Sequence, residues 1–443
     1  MIPFYIETYG CQMNVSDSQV VAALLADSGY EPCQSLEEAR VILINTCSIR
    51  ENAEQRVWGR LDVFRQLKRR NPELRVGVLG CMATRLKDEL LKHPAVDWVI
   101  GPDSYRMLPR LMNPSVLFGN ELSPVQTKLS MKETYADVMP LHDLSGGVSA
   151  FVTIMRGCNN MCAYCVVPYV RGGERSRDPF SIEREVHNLL EDGFSEVTLL
   201  GQNVDSYCWQ DPETGETTDF ARLLERVAGI SPGLRVRFTT SHPKDMNDNV
   251  LYAMARWSNI CRHIHLPVQS GSDAILQKMN RKYTRASYLQ RIARIREVLP
   301  GCAITSDMIA GFCSETEDDH LLTLSLMREV RYDQAFMFQY SERPNTYAAR
   351  HYSDDVPADV KTRRLNEIIA LQNELSMESN KADIGRVFEV LVEGESRRSA
   401  DEYFGRTGTA KVCVFPRENC KTGDYVQVQV TSCTPATLLG KIV

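Results

Sequence analysis

Near its start the chain alternates short β-rich runs with amphipathic stretches. PFYIETYGC reads as a strand, and SDSQVVAALLADSGY as a helix that Ser16 or Asp17 can cap and Gly29 can end. VILINTC, ENAEQRVWGRLDVFRQLKRR, RVGVLGC and MATRLKDELLKH complete a βαβαβα series. That order predicts a parallel, doubly wound sheet over residues 1–112. From Leu111 to Gly147 regularity lapses among scattered Pro, Ser and Gly, so residues 113–147 are expected to be a linker packed on the surface. Alternation resumes at AFVTIMRGC and recurs at EVTLLGQN, LRVRFTTSHP, RHIHLPVQSGS, CAITSDMIAGF and YDQAFMFQYS, with helical stretches between. About six βα units predict a complete or partial (β/α)6 barrel over residues 148–376, its site at the carboxyl ends of the strands. A long helix, roughly Ala358 to Asp383, leads into residues 377–443, where apolar and polar positions alternate between Gly-rich turns. This last pattern predicts a small antiparallel β-barrel. There is no internal repeat or low-complexity tract.

Each of the first three strands runs directly into a cysteine, Cys11, Cys47 and Cys81. Parallel strands present their carboxyl ends along one edge, where open α/β sheets hold ligands, so three residues distant in sequence can converge there. Single cysteines at such positions are commonly buried structural thiols. Three in equivalent positions suggest a site.

Composition changes the picture in two respects. Of 443 residues, 43% are hydrophobic and 24% charged, the balance of a globular protein, with length for two to four domains. The start MIPFYIETYG lacks the basic and apolar regions of a secretory signal, and no apolar run approaches the roughly 18 residues that span a bilayer, so a cytoplasmic location and no membrane contact are expected. In that reducing setting the 14 cysteines suggest buried thiols, metal ligands or catalysis rather than disulfides. The net charge of -6 argues against binding nucleic acid by bulk electrostatics, so any RNA contact must be focused.

The densest chemistry is RGCNNMCAYC, which places Cys158, Cys162 and Cys165 in C-x3-C-x2-C spacing after the first barrel strand. Three thiolates can hold three irons of a 4Fe-4S cluster and leave the fourth for a small molecule, whereas a structural zinc site takes a closed set of four. A zinc site completed by a distant residue is the alternative. The spacing resembles that of the radical S-adenosylmethionine superfamily, in which the open iron chelates the amino and carboxylate groups of that cofactor. By the same resemblance, Tyr164 corresponds to an aromatic whose backbone lies against the adenine. TLLGQN resembles a Gly-rich strand end, making Gly201, Gln202 and Asn203 candidate contacts. Gln269 and Ser270 of VQSGS, and Ser306 and Asp307 of SDMIAGF, are candidates on the same rim. Each alone can equally be a strand cap or a loop hydrogen bond. His263 and His265 share one face of their strand and are expected to be rim or core histidines rather than a metal pair. RQLKRRNPELR reads as the solvated end of a helix. Cys413, Cys420 and Cys433 show no metal spacing.

Taken together, TYGCQMNVSDS, NTCSIRENAEQRVWGRL, GVLGCMATR, GCNNMCAYCVVPYVRGGERSR, HLPVQSGSDAILQKMNRKYT and VEGESRR…GRT…VCVFP resemble the methylthiotransferases along essentially the whole chain. These are radical S-adenosylmethionine enzymes with an N-terminal three-cysteine domain and a C-terminal TRAM domain. The resemblance implies that Cys11, Cys47 and Cys81 hold a second, auxiliary 4Fe-4S cluster. NTCSIRENAEQ and CVVPYVRGGERSR look most like the branch acting on N(6)-dimethylallyladenosine next to the tRNA anticodon, on its 3′ side. That activity joins C–H activation, sulfur insertion and S-methylation by S-adenosylmethionine, giving the 2-methylthio derivative. The same chemistry on threonylcarbamoyl-adenosine or on a ribosomal-protein aspartate is the nearest alternative, and a non-catalytic iron-sulfur RNA-binding protein a remote one. Implied partners are the tRNA anticodon stem-loop and an electron donor such as flavodoxin or ferredoxin. A monomer is expected, and the sulfur source is unassigned. Arg171, Arg175 and Arg177 can pair with phosphates or stack on a base, with internal salt bridges equally open. The chain departs from the family pattern at Cys313 and Ser314, where Pro-Gly is usual, and at Asn345 and Tyr347, where Gly and Pro are usual.

Overall fold

The computed structural model of the protein describes residues 1–48, 51–112, 122–142 and 147–443. The chain falls into two compact units, one made of Met1–His142, Thr153–Asn159 and Val166–Ser181, the other of the remainder.

The first unit is built on six parallel strands: β1 (Ile2–Tyr9), β2 (Tyr30–Pro32), β3 (Val41–Thr46), β4 (Arg75–Gly80), β5 (Trp98–Ile100) and β6 (Val125–Gln126). Their order is β2-β1-β3-β4-β5-β6. Every residue of β3, VILINT, is buried, as expected of a strand covered on both faces. Alternation then sorts its side chains. Leu43 packs in one apolar layer with Val20, Val21 and Leu25 of α1 (Gln12–Ala26), while Ile42 and Ile44 pack in the other with Val57, Leu61 and Phe64 of α2 (Glu51–Arg70). The expected doubly wound parallel sheet is present.

Three local readings need correction. Helix α1 starts about one turn before Ser16 and Asp17, with Cys11 as its cap residue. The Asn14 side chain accepts from the Cys11 amide while the Cys11 sulfur takes the Asn14 amide, a reciprocal cap that leaves Ser16 and Asp17 buried inside the helix. MATRLKDELLKH is not one helix, because Lys87 at φ +46° divides α3 (Cys81–Leu86) from the single turn Asp88–Leu91. The expected linker is partly structural. β6 pairs with β5, and Tyr135 is buried against Tyr105 with its hydroxyl on the Pro102 carbonyl (2.9 Å), because an aromatic this apolar gains more in the layer than in water. The linker stretches 113–121 and 143–146 lie outside the described residues.

Within this unit Asp17, with no exposure, takes two guanidinium groups. Arg156 Nη2 donates to Oδ1 and Arg171 Nη2 to Oδ2, each at 2.7 Å, and the Tyr105 hydroxyl donates to Oδ2 at 3.3 Å. Burial alone would raise the Asp17 carboxyl. Arg171 and then Arg156 outweigh it and hold the group below its ordinary range.

In the second unit six barrel strands lie in two sheets. β7 (Ser149–Thr153), β8 (Glu196–Leu200) and β9 (Arg235–Thr239) form one, β10 (His263–His265), β11 (Ala303–Ala310) and β12 (Gln334–Gln339) the other. A parallel bridge between Val236 and Ile260 joins their edges. All six fall where the alternation predicted, whereas the hairpin Cys208–Gln210 with Thr217–Asp219 was not foreseen. The helix Ala358–Lys381 leads to a closed barrel of β13 (Val387–Ser396), β14 (Ser399–Thr407), β15 (Val412–Pro416), β16 (Tyr425–Cys433) and β17 (Leu438–Ile442). Its pairs are antiparallel except β15 with β17, which run parallel. Val390, Val392, Tyr403, Cys413, Phe415 and Val428 fill it. Among the described residues no helix is long and apolar enough to cross a membrane.

Replacing Asp17 by Ala leaves two buried guanidinium groups facing each other and is expected to cost about 3–5 kcal/mol. The denaturant midpoint of the reduced, metal-free protein measures this, and an unchanged midpoint would show that the carboxylate contributes no stability.

Candidate metal and cofactor sites

Strand register brings the first three cysteines together. Tyr9 of β1 lies beside Thr46 of β3, and Thr46 beside Gly80 of β4, so Cys11, Cys47 and Cys81 leave the same edge of three adjacent strands. The chain turns from β1 to β2 on one side and to β3 on the other, so the edge lies at the topological switch point. Two glycines permit the close approach. A Cβ on Gly10 would lie 2.6 Å from the Cys47 Cβ, and one on Gly80, at φ +89°, 2.7 Å from the Thr46 carbonyl. The Cys11 thiol is lowered to about 6, first by its hydrogen bond with Cys47 and, against burial, by the nearby Arg171 charge and the helix amides. Burial pushes the Cys81 thiol up, and Arg171 opposes it. Arg171 Nε donates to Cys81 Sγ at 3.2 Å.

Of the loop cysteines, Cys158 belongs to the first unit and Cys162 and Cys165 to the second. The Cys158 amide donates to the Gly172 carbonyl (3.1 Å), the residue that ends the helix α4 (Val167–Arg171). In the second unit the loop is clamped by Met279–Arg281. The Ala163 amide donates to the Met279 carbonyl (2.9 Å), Asn280 Nδ2 to the Met161 carbonyl (2.9 Å), and Arg281 Nη1 to Cys162 Sγ and to the Tyr164 hydroxyl, both at 3.3 Å. The sequence reading missed Arg281 altogether. Its place in QKMNRKYT carries no periodic or spacing signal, and only the fold brings it to the loop.

At the carboxyl ends of the barrel strands several buried polar atoms find no hydrogen-bond partner among the described residues: both amide atoms of Gln202, Asn203 Oδ1, Thr240 Oγ1, His242 Nε2 and Gln269 Oε1. Asn203 Nδ2 is held by Asp245 (2.7 Å), which also takes Asn160 Nδ2 from the cysteine loop (3.2 Å). Gln269 sits at φ +73° with its backbone bonded to Asp307 and Ile309. Gly201 continues β8 by backbone bonds to Thr239 and Thr240. Tyr164 is half-buried, edge-on to Phe312 at 6.4 Å.

Other candidates are placed differently. Ser270 and Ser306 have no exposure. Ser270 Oγ accepts from the Ser272 amide (3.2 Å), and Ser306 Oγ accepts from the Val268 amide (3.0 Å) and donates to the Leu266 carbonyl (3.1 Å), so both act as internal ties. Asp307 stays partly exposed, facing His265 Nε2 at 3.5 Å. Arg171, Arg175 and Arg177 are buried, not presented to RNA: Arg171 is on Asp17 and Cys81, Arg175 on Asp103 (2.8 Å), and Arg177 on the Ser181 hydroxyl (2.9 Å). Burying a guanidinium group is costly unless its donors are satisfied; in the first unit Asp17 and Asp103 serve Arg171 and Arg175, and the Ser181 hydroxyl and carbonyl serve Arg177. His263 and His265 share Thr305 Oγ1, at 3.0 Å each. Ser314 and Asn345, at φ +60° and +70°, occupy the left-handed turns where the family pattern has glycine, and Ser314 is held there by two hydrogen bonds to Asp355.

Among the described residues no three His, Cys, Asp or Glu side chains converge tightly enough to chelate one ion. A 4Fe-4S cube asks for something else, thiolates spread over separate irons.

Comparison with known proteins agrees with this layout. Residues 3–101 match the family model described as Uncharacterized protein family UPF0004, 152–327 the Radical SAM superfamily and 381–443 the TRAM domain. Among solved structures, the radical S-adenosylmethionine methyltransferase TsrM from Kitasatospora setae, with cobalamin and a [4Fe-4S] cluster bound, aligns with TM-score 0.59 at 12% identity, over 88% of this chain and 81% of its own. The cobalamin-dependent S-adenosylmethionine radical enzyme OxsB aligns with TM-score 0.54, also at 12% identity, over 84% and 56%. Fold and matches together define a radical SAM enzyme with a TRAM domain. Curated tRNA-2-methylthio-N(6)-dimethylallyladenosine synthases narrow the class. Those of Bacteroides thetaiotaomicron and Amoebophilus asiaticus are each 56% identical over 99% of this chain, covering 95% and 92% of their own, and that of Porphyromonas gingivalis is 53% identical over 99% and 94%. The chain belongs to the tRNA-2-methylthio-N(6)-dimethylallyladenosine synthase family.

Membership implies 4Fe-4S clusters and S-adenosylmethionine as cofactors. The residues present fit them. Soft thiol donors gather at the sheet edge beside a positive charge, and the unpartnered amide and hydroxyl atoms at the barrel's strand ends match an amphoteric, hydrogen-bonding cofactor.

One titration in the barrel is accessible to measurement. Burial raises the Asp205 carboxyl to about 7, although the Ser241 hydroxyl and the His242 amide pull it down. A folded-state value above the unfolded one means stability present below about pH 4 and lost as pH rises through about 7. Asp205→Asn is expected to remove that loss, a difference of up to about 4 kcal/mol between pH 4 and 8 by denaturant unfolding. Parallel pH profiles for parent and variant would contradict the assignment.

Proposed function

We propose that this chain converts N(6)-dimethylallyladenosine, next to the tRNA anticodon on its 3′ side, to the 2-methylthio derivative. The observation that carries this reading is full-length likeness: 56% identity, through sheet, barrel and TRAM domain, to a protein named for that product. In this reading Cys158, Cys162 and Cys165 hold one 4Fe-4S cluster and Cys11, Cys47 and Cys81 the auxiliary one. When bound, the clusters and S-adenosylmethionine supply the C–H activation, sulfur insertion and S-methylation that side-chain acid–base catalysis does not reach at an unactivated adenine carbon.

The chain's own residues position and enclose. Met279, Asn280 and Arg281 fix the path of the cysteine loop. Gln202, Asn203 and Gln269 offer polar atoms to the cofactor from the strand ends, with the Tyr164 backbone and Gly201 beside them. Asp245 ties Asn203 to Asn160 and so sets one strand end against the loop. Residues 377–443 grip the anticodon stem-loop, whose target base leaves its stack to reach the barrel. Residues 1–112, with the described part of 113–147, serve the auxiliary site, and 148–376 the radical chemistry. The protein works as a cytoplasmic monomer with a flavodoxin- or ferredoxin-type electron donor.

Two experiments test this. Reconstituted parent protein is expected to carry about eight irons per chain. Cys158→Ala abolishes cleavage of S-adenosylmethionine to deoxyadenosine, whereas Cys47→Ala keeps abortive cleavage and loses methylthiolation; equal loss of cleavage in both folded variants contradicts the division of labour. Expression in a host deleted for its own methylthiolating enzymes should restore the methylthio group on prenylated adenosine, read by mass spectrometry of tRNA. Its appearance on threonylcarbamoyl-adenosine alone would overturn the substrate.

A further inference from the structure

Each cysteine set carries a buried arginine. In the first unit Arg171, 3% exposed, donates from Nε to Cys81 Sγ (3.2 Å) and from Nη2 to Asp17 (2.7 Å). In the second, Arg281, 4% exposed, donates from Nη1 to Cys162 Sγ (3.3 Å), from Nε to the Tyr283 hydroxyl (2.9 Å) and from Nη2 to the Pro267 carbonyl (2.8 Å). The two side chains come from unrelated elements, the end of α4 and the segment after Lys278, yet each makes the same contact with one cysteine of a three-cysteine set.

Charge balance distinguishes this from ordinary packing. Around Asp17 two guanidinium groups meet one carboxylate, leaving one buried positive charge unmatched, and Arg171 Nη1 has no hydrogen-bond partner among the described residues. Among the described residues Arg281 has no carboxylate hydrogen-bond partner; tyrosine hydroxyls, a carbonyl and a thiol surround it. A buried cation without an anion is costly unless an anionic group completes the site. Three thiolates on a 4Fe-4S core make a net anion.

We propose that Arg171 and Arg281 are the positioning residues of the two cysteine sites, each orienting one cysteine sulfur and supplying the positive charge that balances a three-thiolate cluster. The proposal rests on the two-cluster reading above. Arginine suits the task because it stays charged when desolvated and its planar fork holds a sulfur while other donors anchor it. Hydrogen bonds to cluster sulfurs and local charge both raise the ease of reduction.

The test uses two full-length parents: one with Cys158, Cys162 and Cys165 all changed to Ala, which retains only the auxiliary set, and one with Cys11, Cys47 and Cys81 changed to Ala. Iron and sulfide per chain and the midpoint potential from EPR-monitored titration are the readouts. Arg171→Gln in the first parent and Arg281→Gln in the second are expected to lower cluster content and shift the potential to more negative values. The Lys variants should lie between, since charge survives and the fork does not. Arg281→Gln in the first parent should leave the auxiliary potential unmoved. If Arg171→Gln does not fold, Arg171→Lys, which keeps a cation beside Asp17 but not the fork, should shift the potential in the same direction by less. Gln variants with the iron content and potential of their parents would overturn the proposal alone, whereas parents that bind no cluster would overturn the two-cluster reading with it.

Discussion

The buried carboxylate of Asp17 is the constraint on which the first unit depends. It receives Arg156 and Arg171 at 2.7 Å each, with no water-accessible surface. Removing the carboxylate strands both guanidinium groups, so the backbone around all three must hold its place. Arg171 ends α4, and the next residue's carbonyl takes the Cys158 amide, while the Arg171 side chain reaches Cys81. One ion-pair set therefore ties α1, the start of α3 and the segment carrying Cys158. It also explains why α1 begins early. A helix capped at Ser16 or Asp17 would leave that carboxylate serving backbone amides, and the Cys11–Asn14 cap frees it for the arginines.

The sequence revealed what periodicity and spacing encode. Strand ends at Cys11, Cys47 and Cys81 followed from apolar runs that stop at those residues, and the observed register of Tyr9, Thr46 and Gly80 aligns them. The six barrel strands and the closed C-terminal barrel followed from alternation. What remained hidden depends on contacts between distant segments. Whether Arg171, Arg175 and Arg177 pair inside the fold or face RNA stayed open because sequence shows charge but not the partner, and Asp17 lies 154 positions from Arg171. For Ser270 and Ser306 the choice between rim contact and internal tie stayed open, because a polar residue at a strand end reads the same whether it faces a ligand or closes a loop. Arg281 lies in a segment that carries the family resemblance, but no spacing or periodicity there ties it to the cysteine loop.

The departures from the family pattern show how a turn survives a changed residue. Ser314 holds φ +60° where glycine is usual, a conformation that costs an L-residue about 1–2 kcal/mol. Its amide and hydroxyl both donate to Asp355, at 2.6 and 3.0 Å, and charge-assisted hydrogen bonds of this kind offset a cost of that size. Asn345, at φ +70°, needs less help because asparagine tolerates the left-handed region. Both residues adopt the left-handed conformation that glycine readily takes, so each turn is formed with a side chain in place of glycine's hydrogen.

Desolvation links these local arrangements to the chemistry. At the sheet edge, burial alone would keep thiols protonated and raise Cys81, yet Cys11 is lowered to about 6 by Cys47, Arg171 and helix amides. At the barrel's strand ends, burial has the opposite partner problem: Gln202, Asn203 and Gln269 keep polar atoms buried with no partner among the described residues. The sheet edge has unmatched positive charge and the barrel unmatched hydrogen-bonding capacity. A fold gains nothing from either on its own, since each unmatched group costs roughly 1–3 kcal/mol. Gln372 Oε1, also buried with no partner among the described residues, lies singly in the fold, whereas the unpartnered atoms of Gln202, Asn203, Thr240, His242 and Gln269 gather at strand ends, which favours chemistry there over stability.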